Sequence, residues 1–285
     1  MKKSIIFCVF LLASIFIVKA QFYESPFYMS PSTKSDVLDL AFIKITYKLT
    51  YVKNTEHPDV KDSDVEVLLI GKNYSKYYSS QYEDYNKEIY KGSYYDGIPN
   101  PPSGTLGMEI IKNNLENKLI YTELKTHPFE QNFMYKEEIP RMNWQISAEK
   151  KTIASYTCTK ATTTFRGRTY EAWFSPEIPI PNGPWKFSGL PGLILSIADS
   201  KNEYHFECIG IENLIKQKPI VLYKLKYENT THDKFLRYCQ QYHNDVVPYA
   251  KAAGGASFNA KSMTDVSVDQ EYKSLKQPFN SIEQE

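Results

Sequence analysis

The sequence predicts a mainly β fold (α+β in the broad sense): a curved antiparallel sheet or open half-barrel carrying one or two helices. Three observations carry that expectation. Runs rich in β-branched and aromatic residues recur at short intervals between Phe42 and Ile211. Turn-forming clusters such as Asn113-Asn114 and Arg166-Gly167-Arg168 separate them. Only one long stretch, Thr231 to Val247, spaces its apolar residues for a helix. Composition agrees. The 285 residues include 23 Tyr and 15 Phe, and tyrosine, an apolar ring with a polar tip, suits half-wet sheet faces and ligand-contacting surfaces. The 34 basic and 33 acidic residues leave a net charge of +1, which argues against a basic nucleic-acid binder. So much apolar and aromatic surface also argues against disorder.

Residues 1–20 read as a signal peptide. Lys2 and Lys3 form a positive start, a 14-residue apolar run spans Ile5 to Val18, and Val18-Lys19-Ala20 offers small residues to a peptidase. The run is shorter than the roughly 20 residues a spanning helix needs. The expectation is therefore an exported chain, soluble after cleavage near Ala20 and retained in the periplasm, at the outer membrane, or secreted. The cleaved chain would carry 31 basic and 33 acidic residues.

The elements follow in order. Residues 21–40 read as an irregular arm, rich in Ser, Pro and Tyr, and residues 41–250 as a single sheet-rich domain. Phe42–Val52 is a strand by its alternating Ile, Tyr and Val, and Asp64–Ile70 a second, ended by Gly71. Tyr74–Ser79 is a third and leads into a short helix reaching Tyr90. The Pro and Gly content of Ile98–Gly104 makes it a loop. Glu109–Lys112 and Lys118–Leu124 form a hairpin, and Phe133–Glu138 adds a strand. Ile153–Phe165 and Thr169–Phe174 flank Arg166-Gly167, where glycine supplies the positive φ of a tight hairpin. Leu193–Ala198 and Tyr204–Ile211 form another hairpin. In the helix, Phe235, Leu236, Tyr238, Cys239 and Tyr242 make the apolar stripe, Thr231 or Asp233 stands near its start, and Pro248 ends it. Residues 251–285 read as a polar, flexible tail.

Chemistry-bearing motifs are scarce. The five His residues form no metal-ligand spacing, so no metal is expected; His205-Phe206-Glu207 reads as a solvated strand face. No nucleophile elbow, P-loop or dinucleotide fingerprint occurs, so no cofactor is expected and catalytic residues stay unknown. After signal cleavage three cysteines remain. Cys158 and Cys208 lie on strand-like segments and form the preferred disulfide pair, with three buried thiols as the alternative.

The richest stretch is 140–211. It holds Trp144, Tyr156, Cys158, Lys160-Ala161, Gly167-Arg168, Trp173 and Gly183-Pro184, then the hexapeptide Gly189-Leu190-Pro191-Gly192-Leu193-Ile194. These residues, in order and spacing, resemble the GLPGLI family of exported Bacteroidetes proteins. The resemblance implies an envelope-associated protein of uncharacterised role and supplies no catalytic residues. Ser281-Ile282-Glu283 is faintly similar to that family's ending.

Prolines 176, 179, 181, 184 and 191 lack N–H donors and fix φ, so 176–191 reads as a stiff loop and not a central strand. Arg166, Arg168, Trp173, Trp185 and Phe187 would then form a binding lip for an apolar or anionic partner. The competing reading is a loop that plugs the end of the sheet and buries its own rings. By loose analogy the fold is similar to periplasmic lipoprotein carriers. Three functions stay open: non-enzymatic binding of a hydrophobic small molecule or an envelope protein, a structural or assembly subunit of an outer-membrane complex, or a hydrolase with an unrecognised site. No nucleic-acid partner is expected.

Overall fold

Alternating burial along the chain fixes one large sheet, and its strands are longest where the two halves of the molecule join. The structure is a computed structural model that describes residues 33–89, 101–124, 131–244 and 280–284. In chain order the elements are β1 (Ser35–Tyr51), β2 (Asp62–Gly71), β3 (Tyr74–Ser79), α1 (Ser80–Ile89), β4 (Met108–Asn113), β5 (Lys118–Glu123) and β6 (Asn132–Glu138). Then come β7 (Gln145–Ile153), β8 (Tyr156–Phe165), β9 (Arg168–Ser175), β10 (Leu193–Asp199), β11 (Tyr204–Tyr223), β12 (Tyr227–Asn229) and α2 (His232–Asn244). The signal-peptide segment, most of the expected arm and nearly all of the expected tail lie outside the described residues.

All twelve strands form one open sheet in the order β12-β6-β5-β4-β3-β2-β1-β11-β10-β9-β8-β7. Every pairing is antiparallel except β12 with β6. The predicted mainly β class is therefore correct. Eight strand steps separate β6 from β9, about 38 Å in a flat sheet at ~4.8 Å per step. Yet Arg166, in the β8–β9 turn, meets Glu137 of β6 at 2.7 Å. The sheet must curl until its two wings touch through side chains. Strand bulges help, since they raise local twist and bend: β1 and β11 break register at Val37/Asp39, Ala41/Ile43 and Thr46/Tyr47. Their outer ends fold over the back of β3, where Lys76 donates to the Val221 carbonyl and Lys218 to the Tyr78 hydroxyl.

Several boundaries differ from those read in the sequence, β11 running on past Ile211 to Tyr223 among them. The arm ends sooner than residue 40, because β1 starts at Ser35 and pairs with the far end of β11. The span Ile153–Phe165 is not one strand but the end of β7 and all of β8. Ala154 and Ser155 turn the corner with φ of 47° and 70°, a conformation usually announced by Asn or Gly. Finally, the tail is not flexible throughout: Asn280 and Glu283 are buried.

The concave face holds the main core, including Ile45, Tyr47 and Leu49 of β1, Leu68 of β2, Phe174 of β9 and Phe206 of β11. α2 lies on this face, packing Phe235 against Tyr121, Phe133 and Tyr135 and Tyr238 against Phe133. Thr231 caps it, its hydroxyl oxygen accepting from the Lys234 N–H at 3.4 Å while its carbonyl takes the first helical bond from the Phe235 N–H at 2.9 Å. The loop between β9 and β10 fills the rest, with Asn182 to Phe187 all buried.

That loop re-enters the sheet at Gly192 through a backbone contact no side chain tolerates. A Cβ there would stand 2.2 Å from the Ser175 carbonyl oxygen and 2.6 Å from its carbon. Gly192→Ala should therefore destabilise the fold by about 3 kcal/mol or more, read as the midpoint of urea unfolding; an unchanged midpoint would contradict this packing.

Candidate functional site

The loop 176–192 brings its own polar backbone into an apolar interior, and two lysines make that possible. Lys112 of β4, fully enclosed, donates to the Asn182 Oδ1 at 3.0 Å and to the carbonyls of Phe187 at 2.9 Å and Gly183 at 3.5 Å. Burial without a carboxylate partner pulls its pKa down to about 7. Lys186, on the loop itself and also fully enclosed, meets Glu137 at 2.7 Å, Glu283 at 2.5 Å and the Tyr135 hydroxyl at 3.0 Å. Between them sits Trp185, held at φ 50°, a left-handed conformation costing ~1–2 kcal/mol outside glycine. Its ring is boxed edge-on against Phe165 and Phe187, which keeps it there.

The five residues read as a lip have a different role. Trp185, Phe187 and Arg168 are buried, Trp173 is nearly so, and only Arg166 keeps appreciable exposure. Trp185 and Phe187 form the plug and bury their rings in the core, whereas Trp173 stands on β9 and Arg166 and Arg168 flank Gly167 at the β8–β9 turn. The hexapeptide Gly189–Ile194 forms the exit of the plug and the start of β10. Leu190, Leu193 and Ile194 are buried, and Tyr47 donates to the Ile194 carbonyl at 2.7 Å. Cys158 and Cys208 stand as buried free thiols and are not joined. Their sulfurs are turned instead toward the carbonyls of Tyr156 and Gly210.

The two arginines hold residues 280–284. Arg168 donates to the Asn280 Oδ1 and the Ser281 carbonyl while paired with Asp199 at 2.8 Å and Glu203 at 2.7 Å. Arg166 pairs with Glu283 at 2.6 Å and Glu137 at 2.7 Å. His232, at the start of α2, also contacts Glu283. Burial would raise the Glu283 pKa, but the His232 hydrogen bond and the charges of Lys186 and Arg166 outweigh it and hold the carboxyl at about 2.

This C-terminal segment, α2 and the sheet line a half-open cavity of about 250 Å³. Its walls include the strand residues Tyr51, Tyr121, Tyr204 and Phe206, Phe235 of α2, and Ile282. Tyr51 stacks on Tyr204 and Tyr121 on Tyr135. The hydroxyls have internal partners: Tyr51 donates to the Gly104 carbonyl, Tyr121 to Glu123 and Tyr204 to the Asn280 carbonyl. The rings thus present apolar faces inward, with Lys53, Glu123 and Glu283 supplying charge at the margin. Of the cavity residues, the sequence had singled out Trp185 as part of the lip, Phe235, Leu236 and Cys239 as the apolar stripe of the helix, and Ser281-Ile282-Glu283 as similar to a family ending, without bringing them to one site. Tyr121 and Tyr135 also carried a signal, being strand tyrosines on one face. Among the described residues no cluster of three or more His, Cys, Asp or Glu suits a metal.

Nearby, Asp64 and Glu66 of β2 point into the core. Asp64 accepts from the N–H groups of Val65 and Leu106 and from the Ser79 hydroxyl. Glu66 is fully buried, and burial first, then the Asp64 charge and a hydrogen bond with the Asp64 carboxyl, push its pKa well up.

Fold and site together define a mainly β protein, one open curled sheet lining an aromatic cavity under a C-terminal clasp. Residues 165–196, the span from the end of β8 into β10, match a family model described as a protein of unknown function (Porph_ging). No curated protein matches the chain. Among solved structures the chain is similar to PNGF-II. In its P21 crystal form the TM-score is 0.50 at 10% identity, covering 71% of this chain and 34% of that one. In its C2 form the TM-score is 0.46 at 12% identity, covering 71% and 33%. The chain spans about a third of the length of PNGF-II, and at such identities the likeness concerns the fold alone.

Two pH dependences follow. Glu283 has a depressed pKa, so its stabilisation is complete above about 4.5 and is lost as pH falls through about 2. Comparing wild type with Glu283→Gln by thermal unfolding should show a gap of up to about 3 kcal/mol at neutral pH that closes across this window. Glu66 has a raised pKa, so it holds its proton in the fold, and stability falls as pH rises above the ordinary glutamate value. Glu66→Gln should raise the unfolding midpoint at pH about 8 and leave it unchanged below about 4; a gain that is the same at both would rule out a protonated Glu66.

Proposed function

We propose that this chain is an exported envelope protein of the GLPGLI type that holds a small, flat, apolar molecule without transforming it. The observation that carries the reading is the aromatic cavity. A cavity of about 150 Å³ lined by apolar groups accommodates benzene, so about 250 Å³ suits one or two fused rings. Stacked tyrosines on two walls favour a planar ligand, since offset and edge-on ring contacts add to area burial. The surrounding polar groups support binding over hydrolysis. Glu283 is committed to Lys186, Arg166 and His232, and Glu123 accepts the Tyr121 hydroxyl. The charged start, apolar run and Ala20 of the N-terminus support export.

Native mass spectrometry of the protein purified from its own envelope tests the reading directly. A bound small molecule is the expected result. A stable complex with another envelope protein would favour the assembly role instead, and an empty monomer would count against both. In parallel, titration with 2-naphthol should quench tryptophan emission through Trp185, which lines the cavity. Leu236→Trp, placed on α2 to fill the space, should weaken that binding by ~10-fold or more.

A further inference from the structure

We propose that Asn280–Gln284 is a detachable clasp, seated in a groove built to recognise a short Asn-x-x-Glu segment, and that its release widens the mouth of the cavity.

The groove reads both backbone and side chains. Tyr204 donates to the Asn280 carbonyl, Arg168 to the Ser281 carbonyl at 2.7 Å and Tyr170 to the Ile282 carbonyl at 3.3 Å. The Gln284 N–H donates to the Arg166 carbonyl at 3.0 Å. Two side chains are read in full. The Asn280 amide donates to the Val52 carbonyl at 2.8 Å and accepts from Arg168 at 2.5 Å. Glu283 meets Lys186, Arg166 and His232. Ser281 and Ile282 are only half-buried and contribute chiefly their carbonyls. Short extended peptides are recognised in this way, with main-chain bonds for affinity and a few side-chain pockets for specificity.

The clasp leaves without stranding a charge. Arg166 keeps Glu137, Lys186 keeps Glu137 and the Tyr135 hydroxyl, and Arg168 keeps Asp199 and Glu203. Removing one partner of a buried pair is severe only when the other is left uncompensated. Arg166 and Lys186 against Glu137 leave one positive charge in the vacated groove, which matches a single incoming carboxylate. Little apolar area holds the clasp down, since Ile282 is its one apolar side chain. Local release therefore lies well below global unfolding in free energy, as expected of segments with few apolar contacts. Asn280, Ser281, Ile282 and Glu283 form one wall of the half-open cavity, so release of the clasp widens its mouth. That last step rests on the binding role proposed above; recognition of the clasp does not.

Two measurements on the full-length chain test this. In native-state hydrogen exchange, amides of 280–284 should exchange at least ~100-fold faster than those pairing β1 with β11, through local opening. Exchange of both only together, at the global unfolding rate, would overturn the proposal. Second, a fluorescent, N-acetylated peptide of sequence Asn-Ser-Ile-Glu-Gln-Glu should bind the full-length variant N280A/E283A, monitored by anisotropy. It should bind wild type at least ~10-fold more weakly, because the resident clasp competes at millimolar effective concentration. The peptide with Glu283 replaced by Ala should lose that binding. Absence of peptide binding by a variant with wild-type circular dichroism would refute the groove. Either failure leaves 2-naphthol binding by wild type free to succeed or fail on its own.

Discussion

The interaction on which the rest depends is the insertion of a proline-rich loop into the hollow of a curled sheet, secured by enclosed lysines. Twelve strands in one open sheet make a concavity too wide for strand side chains to fill. The loop fills it with Trp185 and Phe187 but brings carbonyl groups as well. A buried carbonyl without a donor costs ~1–3 kcal/mol, and Lys112 alone reaches two of them and the Asn182 side-chain oxygen. Proline suits such a loop because it lacks the N–H that would otherwise need an acceptor. Lys186 then ties the loop to Glu137 on the opposite wing. Trp185 of the same loop lines the cavity, so the plug and the site are one construction.

The tyrosines take their place within that construction. Tyr47, Tyr51, Tyr170 and Tyr204 each turn an aromatic body into the core and hand a hydroxyl to a carbonyl at the start of β10, in a loop or in the C-terminal segment. Phenylalanine would fill the same volume and leave those carbonyls unmet. The surplus of tyrosine over phenylalanine is thus a sign of how much irregular backbone this sheet has to accommodate, and only partly of exposure to water.

Much of the sheet was legible in the sequence. β2, β3, β4, β5, β6 and β9 stand close to where alternation and β-branched runs put them, and the Arg166-Gly167 turn has the positive φ angles expected of it. β7 escaped notice because its side chains are exposed on both faces, which erases the alternation that marks a strand. The outer end of β11 was hidden for a related reason: Leu214 to Gln217 form a bulge, and Ile215 stands free in solvent. The cavity was not legible, since its walls come from strands far apart in the chain and from a tail whose composition is polar. Trp185-Lys186-Phe187 did hold a clue. A lysine flanked by two large rings in a proline-rich stretch invites burial with a partner, but nothing local names Glu137 or Glu283 as that partner.

The pairing of β1 with β11 has a consequence for how the molecule is made. β2 through β6 and β7 through β10 are chiefly near-neighbour pairs, while Tyr51 must find Tyr204 across the whole of both wings. Joining the wings closes a long loop, and such non-local pairing is what slows folding. The seam therefore forms after the wings. The contact of Asn280 with Val52 spans 228 residues and comes later still. A growing chain therefore keeps this side of its interior an open trough until residues 280–284 have been delivered.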